Sequence, residues 1–230
     1  MGHMGGEGLH GRGPCLKRFG HGQKALAQLG HFTGAVVAKR LDCVFRPVGD
    51  GRGRWRPCRW GSTVEPIGDV ESVTPPTPRL SVAFALIKGG RPELVVQKLV
   101  ELGIDDIRPF RAERSVVQWD AAKADKNQLR LERVAREAVM QCRRAWIPIV
   151  HPVTDYETVS TLSGAARADM GGAMVSMANP TVLVGPEGGW SDAERAVDLP
   201  VVGLSTAVLR AETAAIAAGV LLASSRDADH

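Results

Sequence analysis

Gly185-Pro186-Glu187-Gly188-Gly189-Trp190-Ser191 is where this chain offers the most backbone to a ligand. The apolar run Thr181 to Val184 leads into it, and Ser191 with Glu194 has the spacing of a capping box, so a helix starts there. A glycine-rich turn between strand and helix sits at the strand end where open α/β sheets bind ligands. Glycines there let amides and carbonyls approach a ligand closely. The spacing is not Gly-x-Gly-x-x-Gly, and no Gly-Lys-Ser/Thr follows, so neither a dinucleotide fingerprint nor a Walker loop is supported. Gly49-Asp50-Gly51-Arg52-Gly53 is glycine-rich too, but no helical pattern follows it, and it reads as a turn. Gly-x-Ser-x-Gly, His-Glu-x-x-His and the kinase set are all missing. Spacing alone therefore points to a backbone-lined pocket in an α/β domain.

Metal chemistry is not expected. Cys15, Cys43, Cys58 and Cys142 include no pair two residues apart, and no histidine lies at ligand spacing from them. They read as free thiols in a reducing cytosol rather than a disulfide framework.

The elements that position the turn follow from periodicity. Leu80 to Ile87 is a continuous apolar run, the pattern of a strand covered on both faces. Pro92 suits the first position of a helix, Val95, Leu99 and Leu102 form an i, i+4, i+7 stripe, and Gly103 stops it. Ile104 to Phe110 is the next strand, which makes a βαβ unit and a parallel sheet. Ala121 to Ala145 is the longest helix, with Leu131, Val134, Ala135, Ala138 and Cys142 on one apolar face. Lys123, Lys126, Arg130 and Arg133 fall on another face, either a solvated side or a track for phosphates. Ile147 to Val150 reads as a short strand, and residues 151–180 as a helix and a loop. Pro200 to Leu204 is a last short strand, Ser205 to Leu209 a loop, and Arg210-Ala211-Glu212-Thr213 opens a helix that reaches about Ser224.

At 230 residues the chain is long enough for one large or two small domains. Apolar residues at 44% and charged residues at 23% are those of an ordinary globular protein. No apolar run approaches the roughly 18 residues that a membrane span needs. Residues 1–13 are glycine-rich, lack the apolar core of a secretory signal and are read as a tag or disordered. Residues 14–73 hold short apolar pieces at Gly34 to Ala38 and Ser62 to Ile67, with turns at Asp50-Gly51 and Arg52-Gly53, as in a small β-barrel. Thr74-Pro75-Pro76-Thr77-Pro78 is a stiff linker, so residues 74–79 separate that unit from a second domain over 80–226. The net charge of +4 hides an asymmetry: residues 1–60 carry 11 basic and 3 acidic side chains, the rest 18 and 22. A basic N-terminal third suggests a polyanionic partner, most simply nucleic acid.

The glycine turn, followed by Val202-Gly203-Leu204-Ser205-Thr206-Ala207-Val208-Leu209-Arg210-Ala211-Glu212-Thr213-Ala214, resembles the two signature segments of the RsmE family. These are SPOUT-class methyltransferases that modify N3 of a uridine in 16S ribosomal RNA. Ala85 to Arg91 with Gln97 to Gly103, Ala112 to Val116, Ala135 to Ala138 and Gln141 to Arg144 resemble further segments of that family. The resemblance covers most of 80–225. It implies a C-terminal domain with a parallel sheet tied in a deep trefoil knot, an exception to the usual absence of knots. It also implies S-adenosylmethionine as cofactor, a homodimer, a PUA-like N-terminal barrel, and 16S rRNA or the small ribosomal subunit as partner in the cytoplasm. Asp50 to Trp55 looks like a turn of that barrel, whereas residues 14–48 do not resemble the strands before it.

By that resemblance the cofactor falls on Gly185, Pro186, Glu187, Gly188 and Gly189, and on Leu204, Ser205, Val208, Leu209 and Arg210. Asp169 to Gly172 would approach the adenosine. Arg210 is the candidate to stabilise charge developing on uracil, and Glu212 the candidate base or orienting carboxylate. Arg136, Arg143 and Arg144 are candidates for RNA phosphates. Two alternatives remain at this stage: another RNA as substrate of the same fold, or a catalytically silent RNA-binding assembly factor.

Overall fold

The computed structural model describes residues 75–89 and 91–228 in full, together with the backbone of three N-terminal strands at 43–45, 51–57 and 64–72. The tag-like residues 1–13 and the candidate strand at 34–38 lie outside the described residues, and so does most of the stretch 14–48.

The three N-terminal strands are β1 (Cys43–Phe45), β2 (Gly51–Pro57) and β3 (Val64–Ser72). They form one antiparallel sheet in that order. Arg52-Gly53, expected as a turn, lies inside β2, where the register against β3 shifts between Arg52 and Arg54. Between those pairs β2 has one residue and β3 has three (68–70), so the mismatch is taken up as an irregularity in the ladder and β2 continues through Arg52-Gly53.

The second unit is a parallel sheet. Its strands are β4 (Ser81–Ala85), β5 (Asp106–Arg111), β6 (Ile149–Val150), β7 (Thr154–Asp155), β8 (Ala165–Ala173), β9 (Thr181–Val184) and β10 (Val201–Val202). The order is β10-β8-β9-β4-β5-β6, with β7 also on β5, and every pairing is parallel. The helices are α1 (Arg91–Glu101), α2 (Ala121–Cys142), α3 (Tyr156–Ser160), α4 (Asp192–Ala196) and α5 (Ala211–Ala228).

β4 shows why the sheet needs two covers. All five of its residues are buried. Val82 and Phe84 point into one core with Val95 and Leu99 of α1, Leu131 and Ala135 of α2, and Ala215 and Leu222 of α5. Ala83 and Ala85 point into a smaller core with Phe110, Tyr156, Val159 and Trp190. Such strands read as continuous apolar runs, because neither face meets water.

The structure differs from the sequence reading at the end of α2 and within 151–180. α2 ends at Cys142, short of Ala145, because Arg143 takes a left-handed conformation at φ 57°. At its other end the Asp120 side chain accepts from the Lys123 amide at 2.8 Å. The segment 151–180, expected as a helix and a loop, also contains β8, which sits between β9 and β10. Its sequence Ala-Ala-Arg-Ala-Asp-Met-Gly-Gly-Ala has no β-branched residue, so nothing local marked it as a strand.

The N-terminal edge of the sheet is fixed by buried charge. Asp105 binds Arg144 at 2.8 Å and Arg226 at 3.0 Å, and accepts the Leu80 amide at 3.0 Å. One residue on, Asp106 meets Arg79 at 2.9 Å and His151 at 2.7 Å. Burial pushes the Asp106 carboxyl up, but hydrogen bonds from His151 and Arg79 and the charges of Arg79 and Arg108 outweigh it and hold the group below its ordinary value. Among the described residues no helix is long and apolar enough to cross a membrane.

Candidate functional site

Three segments converge beyond the C-terminal ends of the strands. The first is the bend that follows β9 at Val184. The second is the loop that follows β10 at Val202. The third is an excursion within β8: Val201 pairs with Arg167, but Val202 pairs with Ala173, so residues 168–172 bow out of the ladder. Together they enclose a cavity of about 200 Å³.

Each segment is held by identifiable contacts. Ser191 and Glu194 form the full capping box expected, with Ser191 Oγ accepting the Glu194 amide at 3.2 Å and Glu194 Oε2 accepting the Ser191 amide at 2.8 Å. Glu194 Oε1 also accepts the Glu113 amide at 2.9 Å, which ties the bend to the end of β5. Trp190 stacks on Phe110 with centroids 6.2 Å apart, and its indole N–H donates to the Ala168 carbonyl at 2.9 Å. One side chain thus joins the bend to the β8 excursion. A Cβ at Gly185 would come within 2.9 Å of the Trp190 ring, so only glycine fits there without displacing the indole. On the far side Gly172 lies against the backbone of Val202 and Gly203, and the Gly203 amide donates to Ala173 at 2.8 Å.

Of the ten residues assigned to the cofactor, eight line this cavity: Gly185, Pro186, Glu187, Gly189, Leu204, Ser205, Val208 and Leu209. Asp169 and Met170 line it as well, whereas Gly171 and Gly172 do not. Val208 is 88% exposed and stands at the lip, so it is not a core residue. Two expected residues are placed elsewhere. Gly188 faces away, where a Cβ would meet the Arg114 carbonyl at 3.1 Å, so its small size serves packing. Arg210 is exposed just before α5 and outside the lining.

Glu212 is next to the cavity rather than in its wall. Its Oε1 lies 3.5 Å from Arg91, and its buried Oε2 has no hydrogen-bond partner among the described residues. Arg91 reaches Glu187 as well, at 3.8 Å. One guanidinium therefore links both signature segments to the start of α1.

Arg136, Arg143 and Arg144 are not brought to the cavity. Arg136 bonds Glu132 one turn away at 3.1 Å, and Arg143 caps α2 with its side chain exposed. Arg144, the third of these candidates, makes its contacts within the fold. Its guanidinium is 14% exposed and donates to the carbonyls of Val100, Gly103 and Ile104 as well as to Asp105. Burial pulls its pKa down, against the charge of Asp105. Those donors are committed to the end of α1, so Arg144 holds the fold.

Sequence reasoning missed Ala168, Val184, Trp190, Arg195, Ala207, Ala211 and Ala214 in the wall. Ala211 and Ala214 at i, i+3 on α5 were a usable signal, since small residues on one helix face leave room for a ligand. Arg195 gave none. It reaches the cavity through an ion pair with Asp169, 26 residues earlier in the chain. Among the described residues no cluster of three or more His, Cys, Asp or Glu could hold a metal ion.

Residues 74–223 match the model of the RNA methyltransferase domain. The chain belongs to the RsmE family of RNA methyltransferases. Among its relatives, the ribosomal RNA small subunit methyltransferase E of Mycobacterium tuberculosis is 30% identical over 93% of this chain and 82% of its own length. The protein of that name from Bacillus subtilis is 30% identical over 59% of this chain and 62% of its own. Family members of known structure share the fold. A methyltransferase from Legionella pneumophila, solved in complex with S-adenosylmethionine, has a TM-score of 0.64 at 25% identity, covering 80% of this chain and 82% of its own. The α/β fold with a parallel sheet is thus that of the SPOUT methyltransferases.

Proposed function

We propose that this chain transfers a methyl group from S-adenosylmethionine to N3 of a uridine in 16S ribosomal RNA of the small subunit. The observation that carries the reading is the cavity itself. The two signature segments of an RsmE-family chain fold into one pocket, at the strand ends where ligands of open α/β sheets bind.

The residues present fit that cofactor. Leu204, Val208 and Leu209 offer an apolar surface for an adenine ring. Gly185, Gly189, Ala207 and Ala211 line the wall with little or no side chain, so its polar edge can approach the backbone closely. When bound, the cofactor supplies an electrophilic methyl on a sulfonium, activated without a metal.

The acceptor needs the remaining help. N3 of uracil must lose a proton, and negative charge then spreads to O2 and O4. Arg210, exposed and without an ion-pair partner among the described residues, is the cation we assign to that charge in an oxyanion-type role. Glu212 has one carboxylate oxygen fixed by Arg91 and the other unpartnered, an arrangement that suits accepting or orienting the N3 proton. Gly188, Arg136 and Arg143 support this chemistry only through the fold or the RNA.

The same reading takes in the trefoil knot, the homodimer, a PUA-like role for the N-terminal sheet and a cytoplasmic location with the ribosomal subunit. The test is mass spectrometry of rRNA from a strain lacking the gene. Loss of one 3-methyluridine from 16S rRNA, restored by this chain, is expected. An unchanged nucleoside profile, with the purified protein inert on 16S rRNA and on small subunits, would overturn the reading.

A further inference from the structure

Beside the cavity runs a second, larger cleft of about 550 Å³. It lies between the turn after β4, the start of α1, residues 116–119 and the N-terminal half of α2. A hollow bounded by Lys88, Arg91, Val116 and Glu187 shares Lys88 and Val116 with the cleft and Glu187 with the cofactor cavity. The two sites are therefore neighbours along one surface.

The fold splits the basic stripe of α2. Lys123, Asn127 and Arg130 line the cleft at i, i+4 and i+7, while Lys126 and Arg133 do not. Lys88 and Gln118 line it from other segments. Arg130 is taken by Glu93 at 2.7 Å, and Arg91 is shared between Glu187 and Glu212. Lys88 and Lys123 are exposed and have no ion-pair partner among the described residues. Two free ammonium groups with two side-chain amides around a nucleotide-sized space match a strand that carries phosphates and base edges.

We propose that this cleft holds a nucleotide flanking the methylated uridine in a single-stranded stretch of RNA. Lys88 and Lys123 take its phosphates, and Asn127 and Gln118 meet the base edge. Single strands are the form in which RNA bases present those edges. The assignment rests on the methyltransferase reading above and adds the path of the strand.

The test uses the full chain and 16S rRNA purified from a strain lacking the gene. Each phosphate contact on a single strand contributes about 0.7 to the slope of log affinity against log salt. K88Q/K123Q should flatten that slope by about 1.4 and raise KM for the rRNA about 10-fold at 0.1 M salt. kcat should stay within about twofold, and the S-adenosylmethionine Kd by calorimetry should not change. K126Q/R133Q removes the same charge from the other face of α2 and should leave slope and KM at wild-type values. Asn127→Ala should raise KM about fivefold with the slope unchanged. A wild-type slope and KM in K88Q/K123Q, or an equal loss in K126Q/R133Q, would overturn the cleft assignment and leave the methyltransferase reading standing. A wild-type protein that binds the cofactor but methylates no rRNA would remove both.

Discussion

Gly172→Ala should cost both stability and cofactor affinity. A Cβ there would lie 2.4 Å from the Val202 carbonyl carbon, 2.6 Å from the Gly203 nitrogen and 2.7 Å from Val202 Cα. All three neighbours are backbone, so no side chain can swing aside. Relief requires β8 and β10 to separate by about 1 Å, which restores ordinary carbon contact. That shift stretches the 2.8 Å bond from the Gly203 amide to Ala173 beyond hydrogen-bond reach. Overpacking of this kind costs about 1–3 kcal/mol and a lost internal hydrogen bond about 1 kcal/mol, so about 2–4 kcal/mol is expected. The same shift opens the cavity, because Asp169 and Met170 line it from one strand and Leu204 and Ser205 from the loop after the other. Urea unfolding reads the stability, and calorimetry with S-adenosylmethionine should show affinity at least about 10-fold weaker. Gly171→Ala is the companion measurement. Its φ is +75° with nothing within 4 Å, so only the left-handed backbone is penalised, by about 1–2 kcal/mol. Equal losses in the two variants, or wild-type cofactor binding in Gly172→Ala, would refute the claim that strand contact shapes the pocket.

Three further outcomes are expected. Asp105→Asn leaves Arg144 and Arg226, now 2.8 and 3.0 Å from a carboxylate, without their counter-charge, and should destabilise by about 3–5 kcal/mol in urea unfolding; a loss under about 1 kcal/mol would show the cluster is not coupled to folding. Arg210→Ala should abolish methyl transfer while the S-adenosylmethionine Kd stays within a few-fold, and full activity would remove Arg210 from the mechanism. Because the Asp106 carboxyl is held below its ordinary value of 3.8, its contribution is complete above that value and is lost as pH falls through the lower folded-state value. Asp106→Asn should flatten the fall in stability as pH drops below that ordinary value, and an unchanged acid limb would contradict this.

The parts of the fold that were legible are those whose local pattern and tertiary role agree. Thr181 to Val184 is a strand with the bounds read from its sequence, since it is buried on both faces between β8 and β4. The Ser191–Glu194 capping box formed because it satisfies helix amides whatever lies beyond it. β8 was illegible because its strand character comes only from its two neighbours, and its side chains are mostly small or polar. The site divides in the same way. Eight of the assigned cofactor residues line the wall because the signature segments are local. The Asp169–Arg195 and Arg91–Glu212 pairs join residues 26 and 121 positions apart, and no spacing rule connects them.

Charge was the least legible property of all, and the reason is general. A count of Arg and Lys along α2 and just past its end treats Lys123, Lys126, Arg130, Arg136 and Arg144 alike. Folding commits Arg144 to the carbonyls that end α1, Arg130 to Glu93 and Arg136 to Glu132. A guanidinium whose donors are already satisfied has fewer left for a phosphate, and recruiting it would strand the groups it now serves. On the proposed reading, the cations left for RNA are those without partners among the described residues, and these two sets were indistinguishable before the contacts were known. The division also follows the sheet. The buried Asp105 cluster secures the N-terminal end of the strands. At the opposite end, the signature segments form the cavity, next to Arg210 and the two lysines of the cleft. A variant at Asp105 should therefore act through stability alone, and one at Lys88 or Lys123 through RNA affinity alone.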